Sequence, residues 1–483
     1  MELKKLIEQI DFEEIKGDLP YEINGITDNS KEVQNGSLFI CVKGEKADGS
    51  RFIKEVENKG CVVIVSQEEV STNLCAIIVK DIKRATAQIA KAFYGNPQED
   101  IRIVGVVGTN GKTTICHVLS KLLTEGGYEV GVTGTIGTYY NGNAYSSSLT
   151  TPSCLSLYKL IYDMAKSGVE ILVMEVSAHA ISQRRCEGLF FHSLIFTNCT
   201  EDHLDYFTDF ESYKKVKMSV FDGKNSSYMV INSDDEVGRE ILSSANGKVI
   251  TYGINNPADV FAIDVEENMS GIEYVINLFD VIYDIKCELY GKVNVYNTLA
   301  CASVAATFGV SAYQIANALS KIKPIEGRAQ LVANVKGCNV FVDYAHTPDG
   351  LYQTLTSMKN ICNGKLFCVF GCGGNREKQK RPIMGKISGN IADFTVVTSD
   401  NPRFEDECAI IRQIELGIKE VTYNYITIKD RRIAIKYALD KVRGGDVLVI
   451  AGKGAEEYQE VLGEKRYFSD KKEILDYLKL TEA

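Results

Sequence analysis

The stretch RIVGVVGTNGKTT, residues 102–114, constrains this chain more than any other. An apolar strand runs into a glycine-rich turn. The turn opens into a run that reads as helix from about Lys112 to Glu125, closed by Gly126 and Gly127. Strand, loop, Gly-Lys-Thr and helix in that order make a phosphate-binding loop. Backbone N–H groups and the helix N-terminus face a phosphate, Lys112 reaches the outer phosphates, and Thr113 has the hydroxyl for a Mg²⁺ ion. The full pattern carries a glycine five residues before Gly111, where Val106 stands here. The loop is therefore tighter than in ordinary GTPases and motor ATPases. The alternative is a glycine-rich turn that precedes a lysine by chance.

Strand and helix patterns alternate on both sides of this loop. Residues 1 to about 95 mix short strands (SLFICV, CVVIVS, CAIIV) with helical runs and end in DIKRATAQIAKAFYG; the polar NPQED then reads as a linker. After the loop, EILVMEV, HSLIFTN and SYMVIN read as buried strands, a β-rich stretch fills roughly 247–290, and NVYNTLACASVAATFG reads as helix. From near Ile325, NVFVDYA, KLFCVFG, DFTVVTS and DVLVIAG again alternate with helices. Such alternation implies parallel sheets covered on both faces. The expected architecture is a three-domain α/β protein: a small N-terminal α/β domain (1–97), a central P-loop ATPase-like doubly wound sheet (98–325) and a C-terminal Rossmann-like domain (326–483). At 483 residues the chain has room for all three.

A net charge of −10 argues against nucleic acid as a partner. No apolar run reaches membrane length, and MELKKLIEQI reads as a short amphipathic helix rather than a signal peptide. The 14 cysteines are scattered singly, without a C-x-x-C pair, and read as reduced core residues of a cytoplasmic protein.

Ligands of such sheets bind beyond the carboxyl ends of strands. Glu175 ends the strand EILVMEV, where an acid is placed to hold Mg²⁺ beside phosphates. In LIFTNCTEDHLDYF a strand opens into a loop with Asp202, His203 and Asp205, which makes His203 a ligand or catalytic candidate. In FESYKKVKMSVF, the residues Lys214, Lys215 and Lys217 read, taken alone, as a solvated basic helix face. In the third segment VDYAHTPDGL, FGCGGNREKQKRPIMG, SDNPRFED and IAGKGAEEYQ each follow an apolar strand, as the loops of a second half-site would.

With these pieces in order, the chain resembles the Mur ligases, ATP-dependent amide-forming enzymes of peptidoglycan precursor synthesis, in particular the tripeptide-forming members. GTNGKTT, TTP, MEVSAHA, TNCTEDHLDY, INSDDEVGR, YNTLACA, VDYAHTPD, GCGGNREKQKRP, DNPR and GKGAE carry the likeness along nearly the whole chain. The shorter GTNGKT loop is the family's ordinary form, which accounts for Val106. The resemblance implies that ATP phosphorylates the free carboxylate of UDP-N-acetylmuramoyl-L-alanyl-D-glutamate, that an amine attacks the acyl phosphate, and that phosphate leaves. It implies ATP contacts from Gly108, Thr109, Asn110, Gly111, Lys112, Thr113, Thr114, Asn297, Arg328 and Asp343. Catalytic roles fall to Lys112, Glu175, His203 and Lys217. Thr113 and Glu175 would hold one Mg²⁺, and His203 with a carbamylated Lys217 a second. Ser30 would receive the uridine nucleotide, and Thr150, Thr151, Ser177, Gln183 and Arg185 the muramoyl dipeptide.

The incoming amino acid would meet Arg376, Asp400, Asn401, Pro402, Arg403, Gly452 and Glu456. meso-2,6-Diaminopimelate carries a carboxylate and an ammonium at its far end, and lysine only the ammonium. Arg403 is a two-pronged donor suited to that carboxylate, and Glu456 suits the ammonium. DNPR accompanies diaminopimelate in this family, so meso-diaminopimelate is the expected substrate. A lysine-adding ligase, a folylpolyglutamate synthase-like paralogue and a non-ligating nucleotide-binding regulator are the alternatives. A monomer is expected. The chain departs from the family pattern at Asn29-Ser30-Lys31, Ala178, Phe207, Asn375-Arg376-Glu377 and Ala455, which touches substrate details.

Overall fold

A computed structural model describes residues 1–44, 48–147 and 149–482. The chain separates into two compact units. The first comprises 1–105, 128–194 and 223–227; the second comprises 106–127, 195–222 and 228–483.

In the first unit, SLFI, VIVS and CAII are short strands in which every residue is buried. Apolar on both faces, they can only lie inside a covered sheet. They form one in the order Glu14–Lys16, Cys75–Ile78, Val63–Ser66, Ser37–Ile40, Gly25–Thr27. The outer strand Glu14–Lys16 is antiparallel and the others are parallel. Helix Ile82–Phe93 starts at Asp81, whose carboxylate accepts from the N–H groups of Lys83 and Arg84 and so caps two orphan donors. The same unit pairs Ile171–Val176 in parallel with Val130–Gly134. The latter continues into a meander, Gly137–Tyr140 and Asn143–Tyr145, that sequence patterning does not anticipate.

In the second unit, helix Lys112–Glu125 has the expected bounds, with Gly126 at its C-cap. Ser226–Asn232, Lys248–Gly253 and Val260–Asn268 run parallel, and Gly271–Leu278 and Val281–Cys287 fold back antiparallel. This is the β-rich stretch seen in the sequence. Helix Val293–Thr307 is buried along most of its length because alanines and one cysteine let neighbours approach from every side. A six-stranded sheet follows in the order Gln330–Val335, Cys338–Asp343, Val447–Ala451, Leu366–Phe370, Phe394–Val397, Tyr425–Thr427. Its first strand is antiparallel and the rest are parallel. One face packs Leu355, Met384 and Ile414, and the other packs Ala434, Leu439, Ile474 and Tyr477, so helices cover both sides. Each large apolar side chain fully buried there contributes about 1.5–3 kcal/mol. Four carboxyl ends of this sheet lead into the loops singled out above: after Asp343, Phe370, Val397 and Ala451.

Candidate active site

The glycine-rich loop is clamped from below. Thr109 N–H donates to the Asn198 carbonyl (3.0 Å) and Asn110 N–H to Asn198 Oδ1 (2.9 Å), while Thr197 Oγ1 donates to the Asn110 carbonyl (2.7 Å). Gly111 has φ +89°, and a Cβ there would lie 2.5 Å from Asn297 Oδ1, so both conformation and space demand glycine. Lys112 Nζ donates to the carbonyls of Gly108 (2.8 Å) and Thr109 (2.9 Å), which curls its ammonium over the loop. Thr113 Oγ1 accepts from Arg328 Nη2 (2.9 Å), and the Arg328 guanidinium lies 4.3 Å from the ring centre of Tyr344. Asn110, Gly111, Thr114, Asn297, Arg328 and Asp343 line one cavity of about 480 Å³. Asp343 is held by the N–H groups of Ala329 (2.6 Å) and Ala345 (2.8 Å).

Beside the loop stands helix Phe210–Met218, capped by Asp209. The expectation of a solvated basic face fails here for Lys217. Lys214 does meet Glu211 and Glu240 near the surface, but Lys217 is 0% exposed. Its Nζ donates to Thr109 Oγ1 (2.6 Å) and lies 4.0 Å from the centre of the Tyr213 ring. Burial brings its pKa down from 10.5 to about 7; nearby Lys112 pushes the same way, and Cys199, Asp202 and Asp235 oppose it. His203 adopts φ +58°, its Nε2 3.4 Å from Asp202 Oδ2. Burial alone would raise the Asp202 carboxyl, but His203, His346 and Lys380 together hold it below its ordinary value.

The first unit assembles a different set. Glu175, 1% exposed, stands one residue before the end of its strand, with Oε1 accepting from Thr135 N–H (2.8 Å) and Oε2 from Thr135 Oγ1 (3.1 Å). A Cβ on Gly134 would come within 2.2 Å of Oε1, so glycine there makes room for the acid. Thr135 Oγ1 also meets Thr150 Oγ1 (3.2 Å). Thr151 Oγ1 donates to the Glu175 carbonyl (2.8 Å) and accepts from Ser177 N–H (3.1 Å). Arg185 Nη1 donates to the Thr151 carbonyl (2.7 Å), and its Nε and Nη2 both reach Gln183 Oε1. Thr150, Thr151, Glu175, Ser177, Gln183 and Arg185 thus belong to one network. Thr135 was missed from the sequence, although it directly follows the end of a strand. Among the described residues no hydrogen bond joins Ser30 to this network; its carbonyl accepts from Lys59.

The C-terminal loops interlock. Gly374 N–H donates to the Asn401 carbonyl (2.9 Å), and Arg403 Nη1 donates to the Gly374 carbonyl (2.8 Å). Arg381, fully buried, grips both oxygens of Glu405 (2.9 and 3.0 Å) and the Gly373 carbonyl (3.1 Å). That pairing holds the Glu405 carboxyl below its ordinary value, and the same carboxylate accepts from Asn375 N–H. Asn375 and Arg403 both have left-handed backbones, at φ +52° and +51°. Asn401 Nδ2 donates to Glu456 Oε2 (2.8 Å), which joins the DNPR loop to the GKGAE loop. Beneath them Arg431, fully buried, pairs with Asp470 (2.7 Å) and donates to the Ala451 carbonyl (2.9 Å). Sequence reasoning missed Arg381 and Arg431, whose partners lie far along the chain, and Lys453, which joins nearby Glu456 to distant Asn401. Of the departures, Phe207 is buried against Tyr213 (ring centres 5.2 Å apart) and Ala178 opens a short helix.

Among the described residues no helix is long and apolar enough to cross a membrane, and no three His, Cys, Asp or Glu side chains converge as a metal cage.

Three family descriptions match the chain: Mur ligase family, catalytic domain (22–103), Mur ligase middle domain (106–305) and Mur ligase, glutamate ligase domain (327–454). The UDP-N-acetylmuramoyl-L-alanyl-D-glutamate–2,6-diaminopimelate ligase 1 of Clostridium acetobutylicum is 40% identical over 479 residues, covering 98% of each chain. A solved UDP-N-acetylmuramoyl-L-alanyl-D-glutamate–2,6-diaminopimelate ligase superposes with a TM-score of 0.71 at 29% identity, over 97% of this chain and 98% of its own. The MurF ligase of Thermotoga maritima in complex with ADP, 22% identical, shares the fold with a TM-score of 0.63 over 89% of this chain and 94% of its own. Loop, strand-end residues and full-length likeness agree, and the chain belongs to the Mur ligase family.

Proposed function

We propose that this chain is an ATP-dependent amide ligase that adds meso-2,6-diaminopimelate to UDP-N-acetylmuramoyl-L-alanyl-D-glutamate in the cytoplasm. The observation that carries the choice of amino acid is the joined pair of loops holding Arg403 and Glu456, bridged by Asn401: the Arg403 guanidinium, anchored at the Gly374 carbonyl and facing Glu460, shares one site with the Glu456 carboxylate. A far end bearing both a carboxylate and an ammonium matches that pair of charges; a bare ammonium offers the guanidinium no carboxylate. The relatives named for 2,6-diaminopimelate support the same substrate.

In this reading the domain division is 1–97, 98–325 and 326–483. Lys43, Lys80, Lys83, Arg84 and Arg184 line a groove of about 760 Å³ with Asp11 and Asp81, which pair with Arg84 and Arg184; the positive charge left over suits an anionic nucleotide, although Ser30 does not line it. The Thr150, Thr151, Ser177, Gln183 and Arg185 network offers hydroxyl and guanidinium donors to the acceptor's carboxylates. The N-terminus of helix Lys112–Glu125 and the Lys112 ammonium would meet the phosphates. Phosphoryl transfer to the acceptor carboxylate breaks the terminal P–O bond of ATP and gives an acyl phosphate. The amine of the second substrate attacks the carbonyl, and the C–O bond to phosphate breaks as the amide forms. These steps need alignment and charge neutralisation rather than a covalent enzyme group.

Mg²⁺ is the ion the resemblance implies, and the donors it names, the Thr113 hydroxyl in one unit and the Glu175 carboxylate in the other, are hard oxygens of the kind such an ion takes. Bound, it would neutralise phosphate charge during transfer. Lys217 supports the carbamate expected from the resemblance. A solvent-sealed amine whose pKa is brought down to about 7 is neutral in substantial part near neutral pH, and a neutral amine adds to carbon dioxide with loss of one proton. The resulting oxygens, with His203, suit a second hard cation.

The test is an ATP-dependent ligation assay on UDP-N-acetylmuramoyl-L-alanyl-D-glutamate with meso-diaminopimelate, L-lysine and L-ornithine offered separately, products identified by mass. A diaminopimelate product alone supports the proposal. A lysine or ornithine product overturns the choice of amino acid, and no product overturns the activity.

A further inference from the structure

Lys453 lies between Gly452 and Gly454, at φ +113° and +53°, conformations that turn this loop back on itself. Side chains at either neighbour would collide. A Cβ on Gly452 would lie 2.8 Å from Asp400 Oδ2, and one on Gly454 would lie 2.7 Å from the Gly327 carbonyl oxygen. The loop delivers the Lys453 side chain inward, where it is 0% exposed. Its ammonium donates to Asn401 Oδ1 (3.1 Å) and Glu456 Oε2 (3.2 Å) and sits 5.5 Å from the Tyr458 ring centre. Asn401 Oδ1 also accepts from Glu460 N–H (2.9 Å), so its amide has one settled orientation with Nδ2 facing Glu456. Glu456 keeps a side-chain exposure of 22% and is the open end of the arrangement; Lys453 is the sealed end.

Three acids gather here: Asp400, Glu456 and Glu460. Arg403 answers Glu460 (3.3 Å), and Lys453 pairs with Glu456 (3.2 Å) and acts on Asp400, where Arg431 and Arg403 also contribute positive charge. We propose that Lys453 is a positioning and specificity-determining residue for the incoming amino acid: it fixes Asn401 and Glu456 in register and trims the site's negative charge to suit a zwitterionic far end. This rests on the function proposed above. Without the ammonium the site gains one net negative charge, which rewards a bare ammonium such as that of lysine and penalises a substrate that also carries a carboxylate. Asn401 also loses one of the two donors that orient it.

The test is Lys453→Met, of similar length and without charge, assayed in the full chain with meso-diaminopimelate and L-lysine. KM for diaminopimelate rises about tenfold or more, as for loss of one charge-assisted contact, while KM for ATP and for the nucleotide substrate stays within about twofold. The preference for diaminopimelate over lysine, as a ratio of kcat/KM, narrows. Lys453→Arg, which keeps the charge, retains the preference and covers the case in which the methionine variant fails to fold, read by its thermal melt. An unchanged ratio, or KM values for all three substrates rising together, overturns the assignment. Wild-type protein is scored first: its failure to ligate either amino acid sinks the function itself, whereas wild-type ligation with unchanged constants in Lys453→Met sinks the role of Lys453 alone.

Discussion

Lys217 and Lys453 are both wholly buried lysines at the edge of glycine-rich loops, yet their surroundings differ in kind. Around Lys217 the contacts are a threonine hydroxyl and the face of a tyrosine, with Lys112 close enough to repel. No carboxylate reaches it within ion-pair distance among the described residues, and burial makes the neutral amine competitive. Around Lys453 a carboxylate and an amide oxygen lie within hydrogen-bond reach, with Asp400 also in the field. The first environment favours a nucleophilic amine, the second a fixed charge. Burial alone therefore does not tell what a lysine does; the nearest acceptors do.

The sharpest way to break this contrast is to remove each amine in turn. Lys217→Ala is expected to lower kcat by about a thousandfold, in line with losing charge stabilisation at a transferring phosphoryl group, with partial recovery on adding formate or acetate. Lys453→Ala gains nothing from the same anions. Steady-state assays with and without the carboxylates decide it, and full activity of Lys217→Ala would remove the carbamate role. Equilibrium unfolding should separate the pair next. Lys453→Met leaves Glu456 facing Asp400 and costs about 1–3 kcal/mol, whereas Lys217→Met replaces a poorly solvated amine and is neutral or stabilising.

A smaller effect appears in pH. Below about pH 7 the folded state carries Lys217 as a buried ammonium at full cost; between about 7 and 10.5 only the unfolded chain is protonated there. The unfolded state then binds more protons, so stability rises with pH across that window. In carbon dioxide-free buffer the wild type should gain on the order of 1–2 kcal/mol relative to Lys217→Met between pH 7 and 9, read by denaturant titration. The smallest change is Phe207→His. Phe207 packs on Tyr213 beneath Lys217, and its replacement should shift the melting temperature by a few degrees at most, about 1 kcal/mol, with carbamate-dependent activity retained.

Much of the fold was legible because it rests on local pattern. Strand Arg102–Val107, the turn and helix Lys112–Glu125 follow from an apolar run, two glycines at fixed offsets and a glycine stop. The loops after four of the six strands of the C-terminal sheet were legible for the same reason. The burial of Lys217 was hardly legible, since three lysines in one short helix look like a solvated face. One local sign did exist: Tyr213 and Lys217 are four residues apart and share the buried side. Arg381 and Arg431 left no such sign, and Lys453 only its spacing of three from Glu456. Glu405 is 24 residues from Arg381, Asp470 is 39 from Arg431, and Asn401 is 52 from Lys453, so topology alone brings these pairs together. The hairpin Tyr458–Val461 with Glu464–Tyr467 was missed because its residues are half-exposed and lack an apolar alternation.

The left-handed backbone of Arg403 has a consequence for how this site can change. Glu460 and Leu462 hold Arg403 there through its own N–H (3.0 Å) and carbonyl (2.7 Å), a conformation that costs a residue with a Cβ on the order of 1 kcal/mol and costs glycine or asparagine far less. Drift to glycine at this position would relax the turn while discarding the guanidinium fork. Under the proposed function the same change would also remove the guanidinium's contacts with Gly374 and Glu460, so the strained backbone and the side chain set opposing demands on position 403.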